Sequence, residues 1–190
     1  IGCGSIGHRH ISNLTSLGFD NIQVFDSNKD LLKKIGKSLD VKILESLDFT
    51  NVDITFICTP PNSHISLAKK ALMHKSHVFI EKPLSNSIEG INEIKKLSKK
   101  YCRKIFVGYV FRMDLGIQKV KKILEKKTIG KIISFDAYEG WYLPNWRPWQ
   151  DHKKSYTGSK NLGGGIIFDG SHEVNYLQWF GGEIKQTFSY

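Results

Sequence analysis

The sequence predicts an α/β fold built on a doubly wound parallel sheet. Two observations lead to this prediction. In the first half of the chain, short apolar runs rich in β-branched residues alternate with helical segments, a pattern that builds parallel strands joined by crossover helices. A glycine-rich turn also opens the chain and leads directly into a helical pattern. We therefore expect a first domain over residues 1–111 and part of a second domain over residues 112–190.

Each element follows from a local pattern. Residues 53–59 (DITFICT) are apolar and β-branched, which is typical of a strand buried on both faces. Asn62 or Ser63 can cap the third helix, and Ser85, Asn86 or Ser87 the fourth. Strands are predicted at residues 22–26, 53–59, 77–80, 105–110, 131–138 and, as a candidate, 183–190. Helices are predicted at residues 7–17, 29–39, 63–74, 87–101, 115–127 and 163–180.

The charge balance narrows the function classes. The chain has 28 basic and 18 acidic side chains, a formal net charge of +10. Most of the lysines fall in helical segments, where charge runs are usually solvated faces. Few aromatic residues alternate with them, as a base-stacking surface would require. A nucleic-acid partner is therefore the least favoured interpretation, and a small anionic substrate remains open.

Several features indicate where the protein acts. No apolar run has the length of a membrane span, and no signal peptide is visible. The cysteines, Cys3, Cys58 and Cys102, are odd in number and widely spaced. We expect reduced thiols, a cytoplasmic protein without a membrane partner, and no metal centre. Because the chain begins inside a motif and without Met, we also expect a fragment whose first strand is truncated.

The opening pattern Gly2-x-Gly4-x-x-Gly7 is typical of a turn that binds a dinucleotide pyrophosphate at a helix N-terminus. Asp26 ends the next predicted strand, about 20 residues further on, where a carboxylate accepts hydrogen bonds from ribose hydroxyls. Since this carboxylate repels a 2′-phosphate, NAD is favoured over NADP as cofactor. The alternative is a structural turn and an aspartate that only caps a helix.

Two further motifs follow predicted strands, at the sheet edge where parallel sheets bind ligands. Residues 58–64 (CTPPNSH) form either a rigid apolar surface beside a ligand or only the end of a strand and the start of a helix. Lys82, in the sequence Glu81-Lys82-Pro83, can lose its charge through partial burial and act as a general acid or base. The alternative for Lys82 is a surface ion pair. The Lys82–Pro83 bond is a candidate for the cis form.

A third polar cluster lies in the second half of the chain. Asp169 and His172 follow the triple glycine at residues 163–165. Their spacing of three places them on one face of a helix. Histidine is suited to proton abstraction near neutral pH, and a neighbouring carboxylate can orient its ring. The alternative is a helix N-terminus with a core histidine.

Taken together, these motifs resemble the glucose–fructose oxidoreductase / inositol dehydrogenase (Gfo/Idh/MocA) family over essentially the whole chain. The resemblance implies an N-terminal Rossmann domain and a C-terminal α/β domain with an open, mainly antiparallel sheet, which often mediates homo-oligomers. It also implies hydride transfer between a sugar or polyol carbon and the nicotinamide of NAD. The matching segments are Gly2-x-Gly4-x-x-Gly7-x-Arg9-His10, Thr59-Pro60-Pro61-x-x-His64, Glu81-Lys82-Pro83 and Gly163–Gly165 with Asp169 and His172.

The same resemblance implies roles for individual residues. Lys82 corresponds to the catalytic lysine, His172 to the histidine that acts on the reacting hydroxyl, and Asp169 to its partner. Tyr109 and Arg112 correspond to a stretch near the substrate. The predicted cofactor contacts are Gly2, Gly4, Ser5, Ile6, Gly7, Asp26, Thr59, Pro60, Pro61, His64 and Glu81.

Residues 141–156 give the clearest indication of the substrate. Trp149 and the other aromatic residues of this segment can stack on sugar rings, while Arg147, Lys153 and Lys154 can bind phosphate. These residues favour a nucleotide-linked or acidic sugar, and the alternative is a subunit-contact loop. An NAD-binding sensor without catalytic activity on the same fold is the rival function.

Overall fold

The structure, a computed structural model, describes residues 1–146, 148, 151 and 155–188. It divides into two compact units, Ile1–Gly108 and Tyr109–Tyr190. Each unit is described separately below.

The first unit alternates strands and helices. Its helices are α1 (Ser5–Ser16), α2 (Lys29–Ser38), α3 (His64–Met73) and α4 (Ile91–Lys100). Its strands are β1 (Gln23–Val24), β2 (Lys42–Ile43), β3 (Ile54–Ile57), β4 (His77–Ile80) and β5 (Ile105–Val107). Every helix and strand predicted within residues 1–110 has an observed counterpart. Strand β2 has no predicted counterpart, because two residues leave no periodic signal.

All strand pairs of the first unit are parallel, as predicted. Strand β1 pairs with β2, and β4 lies between β3 and β5. The backbone of Ile1 and Gly2 joins these two groups of strands. The Gly2 N–H donates to the Phe25 carbonyl (2.9 Å), and the Cys58 N–H donates to the Ile1 carbonyl (2.8 Å). The resulting order, β2-β1-(Ile1–Gly2)-β3-β4-β5, is that of a Rossmann sheet.

Helices α3 and α4 pack on one face of the β3–β5 sheet, and α1 covers part of the other face through His10, while Phe106 on that face is 44% exposed. On one face, Ile57 and Ile80 have no exposed surface and belong to a core cluster with residues of α3 and α4. On the other face, Phe56, Phe79 and Phe106 occupy neighbouring register positions and stack at centroid distances of 4.9 and 5.3 Å. A second core cluster packs α1 and α2 against β1 through Cys3, Ile11, Val24, Leu32 and Ile35.

The start of α4 differs from the prediction. The helix begins at Ile91, after Gly90 in a left-handed conformation (φ 74°), and not near residue 87. The Ser85 hydroxyl accepts the Ser87 N–H, and the Ser87 hydroxyl accepts the Glu89 N–H. These serines therefore stabilise the turn that precedes the helix instead of capping the helix itself.

The second unit contains α5 (Leu115–Glu125), α6 (Leu143–Trp146), α7 (Ile166–Asp169) and α8 (Ser171–Gly181). The predicted strand at residues 131–138 is wrong, and residues 183–188 of the candidate strand at 183–190 are not a strand either. A strand needs a hydrogen-bonding neighbour, and within the described part of this unit no segment pairs with these residues.

The helix predicted over residues 163–180 is broken at Gly170. A Cβ atom at this position would lie 2.5 Å from a carboxylate oxygen of Glu139 and 2.9 Å from the Ile166 carbonyl. Gly170 therefore packs closely on the Glu139 side chain, and with φ −85° and ψ 22° it separates α7, which ends at Asp169, from α8, which begins at Ser171. Among the described residues, no helix combines the length and apolarity needed to cross a bilayer.

Candidate functional site

The glycine turn lies at the carboxyl edge of the parallel sheet, where the backbone passes from Ile1 into α1. Gly2 has a positive φ of 83°, and a Cβ atom there would lie 2.7 Å from the carbonyl group of Cys58. A Cβ atom on Gly7 would lie 1.9 Å from the Gly2 carbonyl oxygen. Two glycines are therefore required for α1 to begin this close to the end of β3.

The N-terminus of α1 is open to a ligand. Its N-cap residue is Gly4, no side chain caps the first turn, and the first turn holds no acidic residue. The first N–H groups of a helix have no partner within the helix, and they carry the positive end of its dipole. A Cβ atom on Gly4 would meet no atom within 4 Å. Gly4, Ser5, Ile6 and Gly7 therefore form a cradle that suits a phosphate group.

Two thiols beside this cradle add no negative charge to it. Burial raises the pKa of the Cys58 thiol to about 12, and burial also raises the pKa of the Cys3 thiol. Both thiols are therefore neutral near pH 7, and no thiolate opposes an anionic ligand.

Asp26 lies just beyond β1 and is fixed by the backbone on both sides. One carboxylate oxygen accepts the Cys3 N–H (2.7 Å) and the other accepts the Asn28 N–H (2.8 Å). Each carboxylate oxygen has a further lone pair, so the side chain can still accept hydrogen bonds from a ribose. Asn28 caps α2 with its own side chain, so Asp26 does not serve as that cap.

Thr59, Pro60 and Pro61 follow β3 and turn through a short 3-10 helix (Pro61–Ser63) into α3. The Thr59 hydroxyl lies 2.6 Å from the Ser63 hydroxyl, which donates to the Pro60 carbonyl. The turn is therefore held by its own side chains and stands at the same sheet edge as the glycine cradle.

His64 lies below this turn and has no exposed surface. Its Nε2 atom lies 2.8 Å from the Thr59 carbonyl oxygen and its Nδ1 atom 2.9 Å from the Pro83 carbonyl oxygen. Burial lowers the pKa of the imidazole, while the two carbonyl contacts act in the opposite direction. In this position His64 connects the loops after β3 and β4, and its predicted contact with the cofactor stays a prediction.

Glu81 and Lys82 follow β4. The Glu81 side chain is buried, and its carboxylate contacts His10 of α1 (2.7 Å) and the Lys82 N–H (3.2 Å). Lys82 is half-buried, and the Lys82–Pro83 bond is cis. As with His64, the structure places the Glu81 carboxylate underneath the loop, where it contacts protein groups.

In the second unit, His172 lies in the first turn of α8. Its ring packs edge-on against Tyr109 at a centroid distance of 5.8 Å and lies tilted against Phe111 at 4.6 Å. Asp169 ends α7 and accepts a hydrogen bond from the Tyr156 hydroxyl (3.2 Å). Because Gly170 separates the two helices, Asp169 and His172 do not share a helix face as the spacing predicted.

Arg112 is engaged by α8. Its Nε atom donates to the Asn175 side chain (2.8 Å), and its guanidinium lies 5.0 Å from the centre of the Trp179 ring. Four of the predicted residues, Tyr109, Arg112, Asp169 and His172, thus belong to this second unit. Trp149, Arg147, Lys153 and Lys154 lie outside the described residues, so the predictions made for them stay predictions.

Sequence reasoning assigned no function to His10, although a signal for it was available. His10 stands three residues after Gly7, and Gly7 packs directly against Gly2 and Cys58 at the end of β3. Residues three apart share a helix face, so His10 also faces the sheet.

Comparison with known proteins agrees with this architecture. Residues 1–109 match the family model GFO_IDH_MocA, described as an oxidoreductase family with an NAD-binding Rossmann fold. Residues 117–190 match the C-terminal domain of the same family. The predicted family, fold class and NAD cofactor are thereby confirmed.

Curated relatives share about a third of the aligned residues. Myo-inositol 2-dehydrogenase of Thermotoga maritima is 33% identical over 138 residues, which are 69% of this chain and 41% of that protein. The 2,7-anhydro-N-acetylneuraminate hydratase of Escherichia coli is 29% identical over 151 residues, which are 79% of this chain and 38% of that protein. The matched region thus spans about two fifths of these relatives.

Solved structures share the fold. A probable dehydrogenase from Thermotoga maritima has a TM-score of 0.72 and 26% identity, covering 96% of this chain and 54% of that one. The WlbA dehydrogenase of Bordetella pertussis, solved with NADH and UDP-GlcNAcA, has a TM-score of 0.76 and 24% identity. The alignment covers 95% of this chain and 54% of the WlbA chain, and at this identity the likeness is evidence for the fold alone.

The two glycines of α1 separate cofactor binding from folding. Gly4→Ala is expected to keep the unfolding temperature, since its Cβ atom meets no protein atom and its φ of −61° suits alanine. The same Cβ atom stands where phosphate oxygens approach, so NADH affinity should fall about tenfold, or about 1.4 kcal/mol. Gly7→Ala is expected to destabilise the fold by about 1–3 kcal/mol. Thermal unfolding and NADH fluorescence titration measure both effects, and wild-type NADH affinity in Gly4→Ala would contradict the assigned cradle.

Proposed function

We propose that this protein, which belongs to the Gfo/Idh/MocA oxidoreductase family, transfers hydride between NAD(H) and a hydroxyl-bearing carbon of a sugar, polyol or nucleotide-linked sugar. One observation carries the proposal. The uncapped N-terminus of α1, the anchored Asp26 carboxylate and the Lys82 loop all lie at the carboxyl edge of one parallel sheet. This edge is where open α/β sheets bind their ligands.

The residues present fit a dinucleotide. The backbone N–H groups of residues 4–7 would hold the pyrophosphate, and the free lone pairs of Asp26 would hold the ribose hydroxyls. The fixed carboxylate of Asp26 also disfavours a 2′-phosphate, which supports NAD over NADP. When bound, NAD supplies the nicotinamide carbon that accepts or returns hydride.

Proton transfer is the part of the reaction that the chain itself must perform. When a secondary alcohol is oxidised, its carbon gives up hydride and its oxygen gives up a proton, so that a carbonyl group remains. We assign this proton to Lys82 Nζ, and we assign to the His172 imidazole a further role in proton transfer or substrate binding. In the reductive direction the same groups return the proton to the carbonyl oxygen.

The proposed substrate class rests on three observations. A relative that is 33% identical is named for its action on myo-inositol, a polyol. In addition, Tyr138, Trp141 and Tyr142 are largely exposed in the second unit, and such rings pack well against sugar faces. The basic residues of positions 147–154 favour a substrate that carries phosphate or carboxylate.

Replacing Lys82 should lower the rate of the chemical step without weakening cofactor binding. Lys82→Ala is expected to lower kcat by about 10²–10⁴-fold, the usual contribution of a general acid or base. NADH affinity should remain within about twofold, because the cradle and Asp26 are unchanged. Stopped-flow NADH absorbance with a panel of polyols and sugar nucleotides measures turnover, and fluorescence titration measures binding.

The matched control for this variant is Lys33→Ala in α2. The Lys33 side chain is exposed, and its Nζ atom lies 3.8 Å from a carboxylate oxygen of Asp30 in a solvated ion pair. Lys33→Ala should leave both quantities unchanged. If Lys82→Ala retained wild-type turnover, the assignment of the proton to Lys82 would be wrong. If the wild type bound NADH and oxidised none of the panel, the result would favour an NAD-binding sensor.

Ligand-observed NMR distinguishes the substrate classes without requiring turnover. In saturation-transfer experiments with NADH present, we expect UDP-linked or acidic sugars to receive saturation on their sugar ring protons. Free myo-inositol, at the same concentration, should receive less. Saturation of free polyols combined with none on sugar nucleotides would exclude the nucleotide-linked class.

A further inference from the structure

A buried carboxylate lies directly below the Lys82 loop and is held by a histidine from α1. One oxygen of Glu81 is 2.7 Å from His10 Nε2, and the other accepts the Lys82 backbone N–H at 3.2 Å. The His10 ring, the Glu81 carboxylate and the Lys82 backbone thus form one continuous chain of hydrogen bonds. The proposed proton transfer uses neither the His10 ring nor the Glu81 carboxylate.

The Glu81 carboxylate and the His10 ring are both largely shielded from water. The Glu81 side chain is 11% exposed and that of His10 is 18% exposed. The His10 ring packs on Phe56 and Phe79 at centroid distances of 5.5 and 4.9 Å. Taking a carboxylate out of water is costly unless it is paired and hydrogen-bonded, and the phenylalanine rings offer no other polar partner.

Gly108 provides the space for this arrangement. A Cβ atom at that position would lie 3.1–3.2 Å from all three carboxylate atoms of Glu81. Gly108 follows β5 and its N–H donates to the Ile80 carbonyl (2.8 Å). The end of β5 is therefore shaped to accept the Glu81 side chain.

Both ends of the hydrogen-bond chain are rigidly attached. His10 belongs to α1, six residues after the N-cap Gly4, or about 9 Å along the helix axis. The Glu81 N–H donates to the Ile57 carbonyl (2.9 Å), which fixes its backbone to β3. Any displacement of α1 relative to the Lys82 loop would have to break a buried, charged hydrogen bond.

We propose that His10 is a positioning residue: through Glu81 it fixes the Lys82 loop relative to the helix whose N-terminus holds the cofactor phosphates. The kinetic consequence of this proposal rests on the proposed function of Lys82. Misplacing a catalytic group by about 1 Å can cost about 100-fold in rate, so loss of the His10 contact should slow the chemical step. Cofactor affinity should change little, because the N–H groups of residues 4–7 remain.

Two variants of His10 isolate the hydrogen bond. His10→Phe keeps a ring against Phe56 and Phe79 but cannot donate to Glu81. His10→Gln keeps an N–H donor of similar reach. We expect His10→Phe to lower kcat by about 10–100-fold with KM for NAD within about twofold, and His10→Gln to recover most of the loss. Because His10→Phe removes a partner of the Glu81 carboxylate, its unfolding temperature should fall, so circular dichroism at the assay temperature verifies that both variants are folded.

The control is an ion pair of similar length on the surface of the same unit. Lys69 and Glu93 lie 2.6 Å apart, and their side chains are 43% and 50% exposed. Glu93→Gln removes this pair and should leave kcat and KM unchanged. An equal kcat for His10→Phe and the wild type would overturn the proposal.

A readout that does not require turnover keeps this test separate from the test of the proposed function. Reductive ¹³C-methylation labels the lysines, and Lys82→Arg identifies the Lys82 resonance in the NMR spectrum. We expect His10→Phe to shift or broaden that resonance, His10→Gln to restore it, and Glu93→Gln to leave it in place. If the wild type has no dehydrogenase activity, this resonance alone decides: an unchanged Lys82 signal in His10→Phe would overturn the proposal.

Discussion

The close approach of two backbone segments, the turn at Gly2 and the end of β3 at Cys58, is the constraint on which the rest of the first unit depends. No side chain fits at either glycine of this contact. A Cβ atom on Gly2 would lie 2.7 Å from the Cys58 carbonyl group, and one on Gly7 would lie 1.9 Å from the Gly2 carbonyl oxygen. The same backbone joins the two groups of strands through hydrogen bonds to Phe25 and Cys58. The phosphate cradle exists because α1 begins at this point of contact.

Two histidines connect the Lys82 loop to the segments that meet at this contact. His10 extends from α1 to Glu81, and His64 extends from α3 to the carbonyl groups of Thr59 and Pro83. The two residues that flank Lys82 are therefore each held by a buried or nearly buried ring. A loop supported in this way can present a lysine in a fixed direction, which acid–base chemistry requires.

The sequence predicted most of the first unit because its signals are local, and it missed the two-residue strand β2 and the start of α4. Strand β4 was predicted with its observed bounds, and the glycine turn leads into a helix as its spacing predicted, while its binding of the cofactor stays a prediction. Burial places His64 and Glu81 under the loops after β3 and β4, which motif spacing does not reveal, and their predicted contacts with the cofactor stay predictions. In the second unit, the strand at residues 131–138 and the unbroken helix at residues 163–180 failed. A strand depends on a distant pairing partner, which local patterns do not show, and the helix is interrupted at Gly170, beside the Glu139 carboxylate.

An NADH titration followed by ¹H–¹⁵N correlation NMR tests the central claim, that the helix which begins at this contact holds the cofactor. The account predicts that the largest saturable shifts fall on the amides of Gly4, Ser5, Ile6 and Gly7, with further shifts at Asp26 and Thr59. Shifts confined to the lysine-rich face of α4, or no saturable shift at the glycine turn, would contradict it.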